Sequence, residues 1–224
     1  MRYETLLFDL DDTLFDSTVS FAAALLEAAA ESGLAVPEDF AERYERIHLP
    51  LWRQFENGEI SRETARRVRF ERLFAECGLS GDPAAFGKKY MEKIHRSTAL
   101  MDGAVEVCRE LSRDRHLYVA SNGDQKMQAG RMEQSRLAPY FSGVFTSDLL
   151  GAEKPSRVFY DTLLQKIGNP DRRGVLMIGD AESDITGGIA AEVDTCLICG
   201  IGKTPPDCRP TCRIFSLWEL PALV

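Results

Sequence analysis

No apolar run in the 224 residues approaches the roughly 18 needed to cross a membrane as a helix, so no membrane partner is expected. The positive excess of a nucleic-acid binder is missing too. The 27 Lys and Arg stand against 35 Asp and Glu, a net charge of −8, which argues against a nucleic-acid polymer as partner. An anionic substrate must then be drawn in by a local positive site working against the global field. A secretory leader is not visible either. Arg2 is followed only by Leu6-Leu7-Phe8 as a consecutive apolar run before Asp9 interrupts it. The expectation is a cytoplasmic protein, monomeric or weakly dimeric, whose six cysteines (Cys77, Cys108, Cys196, Cys199, Cys208 and Cys212) are reduced thiols. Internal repeats and low-complexity segments are absent, which leaves out solenoids and fibrous arrays. Between residues 17 and 98 nothing reads as a strand. Residues 41–76 contain neither Lys nor Asp, only eight Arg and seven Glu.

What is present is enough for a folded enzyme-sized core: 44% hydrophobic and 28% charged residues. Residues 4–9 read as a buried strand. Asp16 or Ser17 is a candidate cap for a helix running to about Glu31, and Gly33 is its stop signal. A second helical region begins after Pro37, with apolar spacing through Val68, Phe70, Leu73 and Phe74. Another helix spans about Pro83–His95. After Gly103 helices and strands alternate: helix 104–113, strand His116–Ala120, helix 124–136, strand Gly143–Thr146, a helix ending at Ile167, strand Val175–Ile178, a short helix holding Gly187-Gly188, strands Thr195–Cys199 and Cys212–Phe215, and a short terminal helix from Ser216. Alternation of this kind predicts an α/β fold with a doubly wound parallel sheet covered on both faces. The all-helical block is an insertion after the first strand.

The chemistry gathers at the ends of the predicted strands, where ligands bind in such sheets. Asp9, Asp11 and Asp12 place three carboxylates within four positions. Like charges this close repel and raise one another's pKa, so the cluster calls for a cation, most simply a hard divalent metal with oxygen ligands. Ser121-Asn122-Gly123, Lys154 before Pro155, and Asp180 with Asp184 fall at other strand ends. Taken singly, each has a bland reading: a common turn, a solvated lysine, a helix cap. Together they suit phosphoryl transfer through an aspartyl-phosphate. A carboxylate nucleophile meets a dianion there, with Mg²⁺ held by Asp9 and Asp180, and with Lys154 cancelling the repulsion. Asp11, held protonated, would donate to the leaving oxygen and then deprotonate water. Ser121 would hold a phosphoryl oxygen. Asp12 is most simply a turn residue.

The four motifs, Asp9-x-Asp11-x-Thr13, Ser121-Asn122-Gly123, Lys154-Pro155 and Gly179-Asp180-x-x-x-Asp184, resemble those of the haloacid dehalogenase (HAD) superfamily of phosphatases. That resemblance implies a Rossmann-like core (1–15 and 102–224) with an inserted helical cap of the C1 type (16–101). It implies Asp9 as nucleophile and Asp11 as general acid/base, Asp11 also giving its backbone carbonyl to Mg²⁺. Thr13, Ser121, Asn122 and Lys154 would bind phosphate, Asp180 the metal, and Asp184 would be an outer or water-linked partner. Phe15 would fall in the mobile segment that leads into the cap. The stretch Leu51-Trp52-Arg53 … Glu56-Asn57-Gly58-Glu59-Ile60 … Arg69-Phe70 is similar to the cap of bacterial pyrimidine 5′-nucleotidases of the YjjG/YfnB type. This implies a small phosphorylated metabolite, a pyrimidine nucleoside monophosphate, as substrate.

Rivals share the scaffold: a sugar-phosphate phosphatase, a phosphomutase, a 2-haloacid dehalogenase, or a non-catalytic phosphometabolite-binding protein. Asp11 and Asp180 speak against the dehalogenase, and a dead scaffold would be expected to have lost a nucleophile, metal ligand or lysine. Trp52 is a candidate to stack on a base and Arg53 to meet a phosphate or carbonyl, with His48 beside them. The plainer reading is that Trp52 anchors cap helices and Arg53 is solvated. Cys196-x2-Cys199 and Cys208-x3-Cys212 look superficially like a zinc site. Cys196, inside an apolar strand, is more simply a small buried hydrophobe, and Pro205, Pro206 and Pro210 stiffen the intervening loop.

Overall fold

The computed structural model describes residues 3–200 and 208–224. Arg2, Pro205 and Pro206 of the sequence reading lie outside the described residues. In chain order the elements begin with β1 (Thr5–Phe8), α1 (Ser17–Glu31), α2 (Phe40–Glu56), α3 (Arg62–Cys77), α4 (Pro83–Ile94) and α5 (Ala104–Leu111). They continue with β2 (His116–Ser121), α6 (Gln125–Gln134), β3 (Gly143–Thr146), α7 (Ser147–Leu150), α8 (Arg157–Lys166), β4 (Val175–Gly179), α9 (Glu182–Ala190), β5 (Asp194–Ile198) and β6 (Cys212–Ile214). The chain divides into two compact units, Met1–Ser17 with Thr98–Val224, and Thr18–Ser97. Among the described residues no helix is long and apolar enough to cross a membrane.

The first unit is built on a six-stranded sheet in the order β3-β2-β1-β4-β5-β6, parallel at every pairing. Strand β1 lies in the middle because all four of its residues are buried. Leu6 and Phe8 enter one core with Val107, Leu111 and Leu117, while Leu7 enters the opposite core with Phe159, Leu163 and Met177. A strand whose alternate side chains fill two cores must be covered on both faces. Each such fully buried side chain contributes about 1.5–3 kcal/mol relative to exposure. The sheet order reverses direction on either side of β1, and the register pairs Phe8 with both Val119 and Ile178. The carboxyl ends of β1, β2 and β4 therefore come out side by side at a topological switch point.

The second unit consists of helices. Ser61 caps α3 through the Thr64 amide, Gly78 ends it in the left-handed region at φ 61°, and Asp82 caps α4 ahead of Pro83. Its core is aromatic: Phe40, Tyr44, Phe55, Phe70, Phe74, Phe86 and Tyr90 are all buried.

Most boundaries fall within two residues of expectation, and three differences have a visible cause. The second helical region starts at Phe40, three residues after Pro37, whose carbonyl accepts the Phe40 amide. Helix α6 stops at Gln134, where the Ser135 side chain turns back to the Met132 carbonyl. The terminal helix, Leu217–Ala222, is of the tighter 3-10 kind and is capped by Ser216 and Glu219.

Candidate active site

Immediately after β1 the chain folds into a tight loop. The Asp9 amide still donates to the Ile178 carbonyl at 2.9 Å, which fixes Asp9 against the end of β4. The Leu10 carbonyl then accepts the amides of Leu14 and Phe15, and the Phe15 carbonyl accepts the Asp12 amide at 2.9 Å. Asp12 carries the turn in the left-handed region, φ 57°, a conformation that Asp tolerates better than most residues. Phe15, expected in a mobile segment, is fully buried and bridges to Asp11 and Leu100.

The loop delivers Asp9 to a cluster of buried charge. Lys154 Nζ donates to Asp9 Oδ1 at 2.7 Å, to Asp184 Oδ1 at 2.5 Å and to the Ala120 carbonyl at 2.9 Å. Lys154 and Asp184 are 2% and 0% exposed, so this is a dry ion pair, which survives only when it is well hydrogen-bonded. Asp184 also accepts the Ala181 amide through Oδ2 at 3.1 Å. Its carboxylate reaches that position because residue 179 is glycine: a Cβ there would sit 2.1 Å from Asp184 Oδ2. Burial pushes the Asp9 carboxyl up to about 7, Lys154 opposing and the Asp184 and Asp11 charges reinforcing the rise. Burial alone would lower the Lys154 ammonium, yet Asp184 and Asp9 hold it well above the ordinary lysine range. Asp184, expected as an outer or water-linked partner of the metal, contacts the lysine directly.

A second network surrounds Asp11. Arg131 Nη1 and the Ser17 hydroxyl both donate to Asp11 Oδ1, at 2.7 and 3.1 Å, and Gln128 Nε2 donates to Oδ2 at 3.0 Å. Burial would raise the Asp11 carboxyl, but Arg131 together with these hydrogen bonds outweighs it and holds the group below the usual carboxylate range. In this state a guanidinium faces Asp11. Ser121 Oγ accepts from the Gly123 amide at 3.1 Å and from Gln128 Nε2 at 3.3 Å. The Asn122 side chain clamps the main chain of Lys154, Oδ1 accepting its amide at 2.7 Å and Nδ2 donating to its carbonyl at 2.9 Å. Asn122 thus positions Lys154 through its side chain. Thr13, fully buried, makes a long 3.5 Å contact from its hydroxyl to Asp180 Oδ1.

Among the described residues one group of three or more potential metal ligands is found: Asp9, Asp180 and Asp184, each offering an oxygen within 4.8 Å of the others. The donors are all hard carboxylate oxygens, the set that Mg²⁺ prefers. Lys154 pairs with two of the three carboxylates, Asp9 and Asp184, and is the one ammonium paired within the group. That leaves the cluster two negative charges in excess, which a divalent cation would neutralise. The residues fit the metal.

A profile of haloacid dehalogenase-like hydrolases matches residues 3–192. The chain is 34% identical to the HAD-hydrolase YfnB of Bacillus subtilis, across 98% of its own length and 94% of that protein's. It is 36% identical to the pyrimidine 5′-nucleotidase PynA of Streptococcus pneumoniae over 98% and 94% of the two chains. To the pyrimidine 5′-nucleotidase YjjG of Escherichia coli it is 32% identical over 100% and 99%. The crystal structure of YfnB bound to magnesium matches with a TM-score of 0.93 at 33% identity, covering 100% of this chain and 99% of that one. The chain belongs to the haloacid dehalogenase-like hydrolases. With relatives of this similarity named as nucleotidases, it is an enzyme of the HAD phosphatase type. A defluorinating L-2-haloacid dehalogenase has a TM-score of 0.79 at 18% identity, a likeness of fold alone.

In this HAD phosphatase the structure brings Asp9, Asp11, Thr13, Ser121, Asn122, Lys154, Asp180 and Asp184 together at the strand ends of the α/β unit. Trp52 and Arg53 sit on α2 in the helical unit. Trp52 is half-buried and tilts against His48 and Phe55, with ring centroids 5.6 and 5.0 Å away, while Arg53 is exposed. His48 is stacked on Tyr44 at 5.3 Å. Cys196 is fully buried in β5 beside its register partner Cys212, whose hydrogen bond, together with burial, pushes the Cys196 thiol up.

Sequence reasoning missed Ser17, Gln128 and Arg131. The signal was available on α6. Met127, Gln128, Arg131 and Met132 are its buried residues. Two of them are apolar, and the spacing is that of a core-facing stripe. A glutamine and an arginine share that stripe, on the helix that follows Ser121-Asn122-Gly123, and both bond Asp11.

Proposed function

We propose that this chain is a Mg²⁺-dependent phosphomonoesterase that works through an aspartyl-phosphate on Asp9, with pyrimidine nucleoside 5′-monophosphates as substrates. The observation that carries the reading is the Asp9–Lys154–Asp184 ion-paired cluster with Asp180 at the ends of β1 and β4. The resemblance of the 51–70 stretch to nucleotidase caps and the names of PynA and YjjG support the substrate class.

Asp9 attacks phosphorus, and the bond to the ester oxygen breaks. Asp11 delivers a proton to that oxygen, so a neutral nucleoside departs. A water then attacks the phosphorus of the aspartyl-phosphate, Asp11 takes its proton, and inorganic phosphate and the Asp9 carboxylate are regenerated. Before the first step Asp11 must hold a proton. An arriving phosphate dianion favours that form, because a like charge raises a carboxyl pKa. Lys154 opposes the rise that burial imposes on the Asp9 carboxyl and offers the phosphoryl group a positive charge. The Ser121 hydroxyl accepts both of its recorded bonds, so its own proton is available to a phosphoryl oxygen. The carboxylates of Asp9 and Asp180 and the main-chain carbonyl of Asp11 would hold Mg²⁺, which would supply charge neutralisation to the transferring group. We assign the helical unit as the cap of the enzyme.

Phosphate release from dUMP, dTMP, UMP, purine nucleotides and sugar phosphates, measured with Mg²⁺ and with EDTA, tests the reading. Turnover is expected on the pyrimidine monophosphates and only with the metal. Preference for sugar phosphates overturns the substrate class, and undiminished turnover in EDTA overturns the metal.

A further inference from the structure

Helix α6 sends two fully buried polar side chains, Gln128 and Arg131, to a single carboxylate. Lying three residues apart, they share one face of the helix. Arg131 Nη1 bonds Asp11 Oδ1 at 2.7 Å and Gln128 Oε1 at 3.0 Å, and the guanidinium lies 4.3 Å from the Phe15 ring centroid. Gln128 Nε2 bonds Asp11 Oδ2 at 3.0 Å and Ser121 Oγ at 3.3 Å. The approach of Gln128 depends on Gly123, where a Cβ would lie 2.4 Å from Nε2. An ion pair serving stability alone needs none of this. It need not engage both oxygens of the acid, and it need not tie that acid to a hydroxyl on the neighbouring strand end.

We propose that Gln128 and Arg131 are positioning residues for proton transfer by Asp11. The inference rests on Asp11 being the group that moves the proton. Oδ1 is held by two donors, Arg131 and Ser17, whereas Oδ2 takes one, from Gln128. Oδ2 is thus the oxygen left to carry the proton to the ester oxygen as the P–O bond breaks. It also receives the proton of the attacking water in the second step. Gln128, bonded at once to Oδ2 and Ser121 Oγ, sets the distance between the proton donor and the phosphoryl pocket. Displacement of about 1 Å in such a group is enough for a hundredfold loss.

The test compares kcat/KM, which reports the steps through departure of the alcohol, for two substrates of the Mg²⁺-loaded enzyme. One is dUMP, whose alkoxide leaving group needs a proton. The other is p-nitrophenyl phosphate, whose phenolate does not. Arg131→Met is expected to lower kcat/KM for dUMP by roughly ten- to a hundredfold, within the range of general acid catalysis, and to lower it markedly less for p-nitrophenyl phosphate. Arg131→Lys should recover part of the loss. In an Asp11→Asn background Arg131→Met should add little, since the two act as a unit. Gln128→Met, which keeps the Asp11–Arg131 pair, gives the same selective loss and serves if Arg131→Met does not fold. Equal losses on both substrates, or full additivity with Asp11→Asn, overturn the proposal while leaving the phosphatase reading intact. A wild-type chain with no Asp9-dependent phosphate release overturns that reading, and this inference with it.

Discussion

Both units bury cationic side chains, and they satisfy them by different means. In the α/β unit Lys154 lies between Asp9 and Asp184, and Arg131 lies against Asp11. In the helical unit Arg69 is 5% exposed and rests on ring faces. Its guanidinium lies 4.8 Å from the Phe70 ring centroid, 5.3 Å from Tyr90 and 5.7 Å from Tyr44, and Nη2 points to the Met91 sulfur at 3.4 Å. Carboxylate pairs tie a cation to a reacting group and leave an uncompensated charge when broken. Ring faces stabilise a cation without a carboxylate partner. The contrast separates a buried charge that serves chemistry from one that fills an aromatic core.

Removing Lys154 is the harshest way to break that contrast. Lys154→Met strands Asp9 and Asp184 and is expected to cost about 3–5 kcal/mol, read as a fall in the denaturation midpoint of metal-free protein. An unchanged midpoint would mean that the buried pair is already compensated elsewhere.

A pH series sharpens the same point. The Asp9 carboxyl rises from 3.8 to about 7 in the folded, metal-free chain. The folded state thus favours protonated Asp9. That contribution is fully present below pH 3.8, the unfolded value, and is lost as pH rises through about 7. Metal-free wild type should lose stability relative to Asp9→Asn between pH 5 and 8, by at most about 3 kcal/mol, and Mg²⁺ should abolish the difference. Parallel pH profiles for the two proteins would contradict it.

Much of this was legible in the sequence. The central strand, the parallel alternation and the helical insertion follow from apolar runs and turn residues, and the strand-end acids announce themselves by their mutual repulsion. Less visible was how the acids are neutralised. Lys154 reads from its motif alone as a solvated or phosphate-facing lysine. Only the fold shows that Gly179 admits Asp184 to it and that the Asn122 amide fixes its backbone. Arg131 and Gln128 escaped because long polar side chains on a helix usually face water, and the partner that buries them lies 120 and 117 residues away in sequence. The cation that faces Asp11 was invisible for the same reason.

In the helical unit the expected effects shrink. Arg69→Met, which leaves no stranded anion, should change stability by less than about 2 kcal/mol in either direction. A loss as large as that of Lys154→Met would show that the ring-lined site is not what holds this cation. Smallest of all is the exposed pair Arg67–Glu71, 2.6 Å apart on α3 with side chains 56% and 46% exposed. Arg67→Ala should cost under about 0.5 kcal/mol, and that little should vanish in high salt.

The most direct measurement is to acid-quench the Mg²⁺-loaded enzyme during turnover of dUMP and map the phosphorylated peptide by mass spectrometry. One phosphoryl group is expected, on Asp9, with none in Asp9→Asn and phosphate release from that variant down at least about a thousandfold. A phosphoryl group on another residue, or wild-type rates from Asp9→Asn, would contradict it.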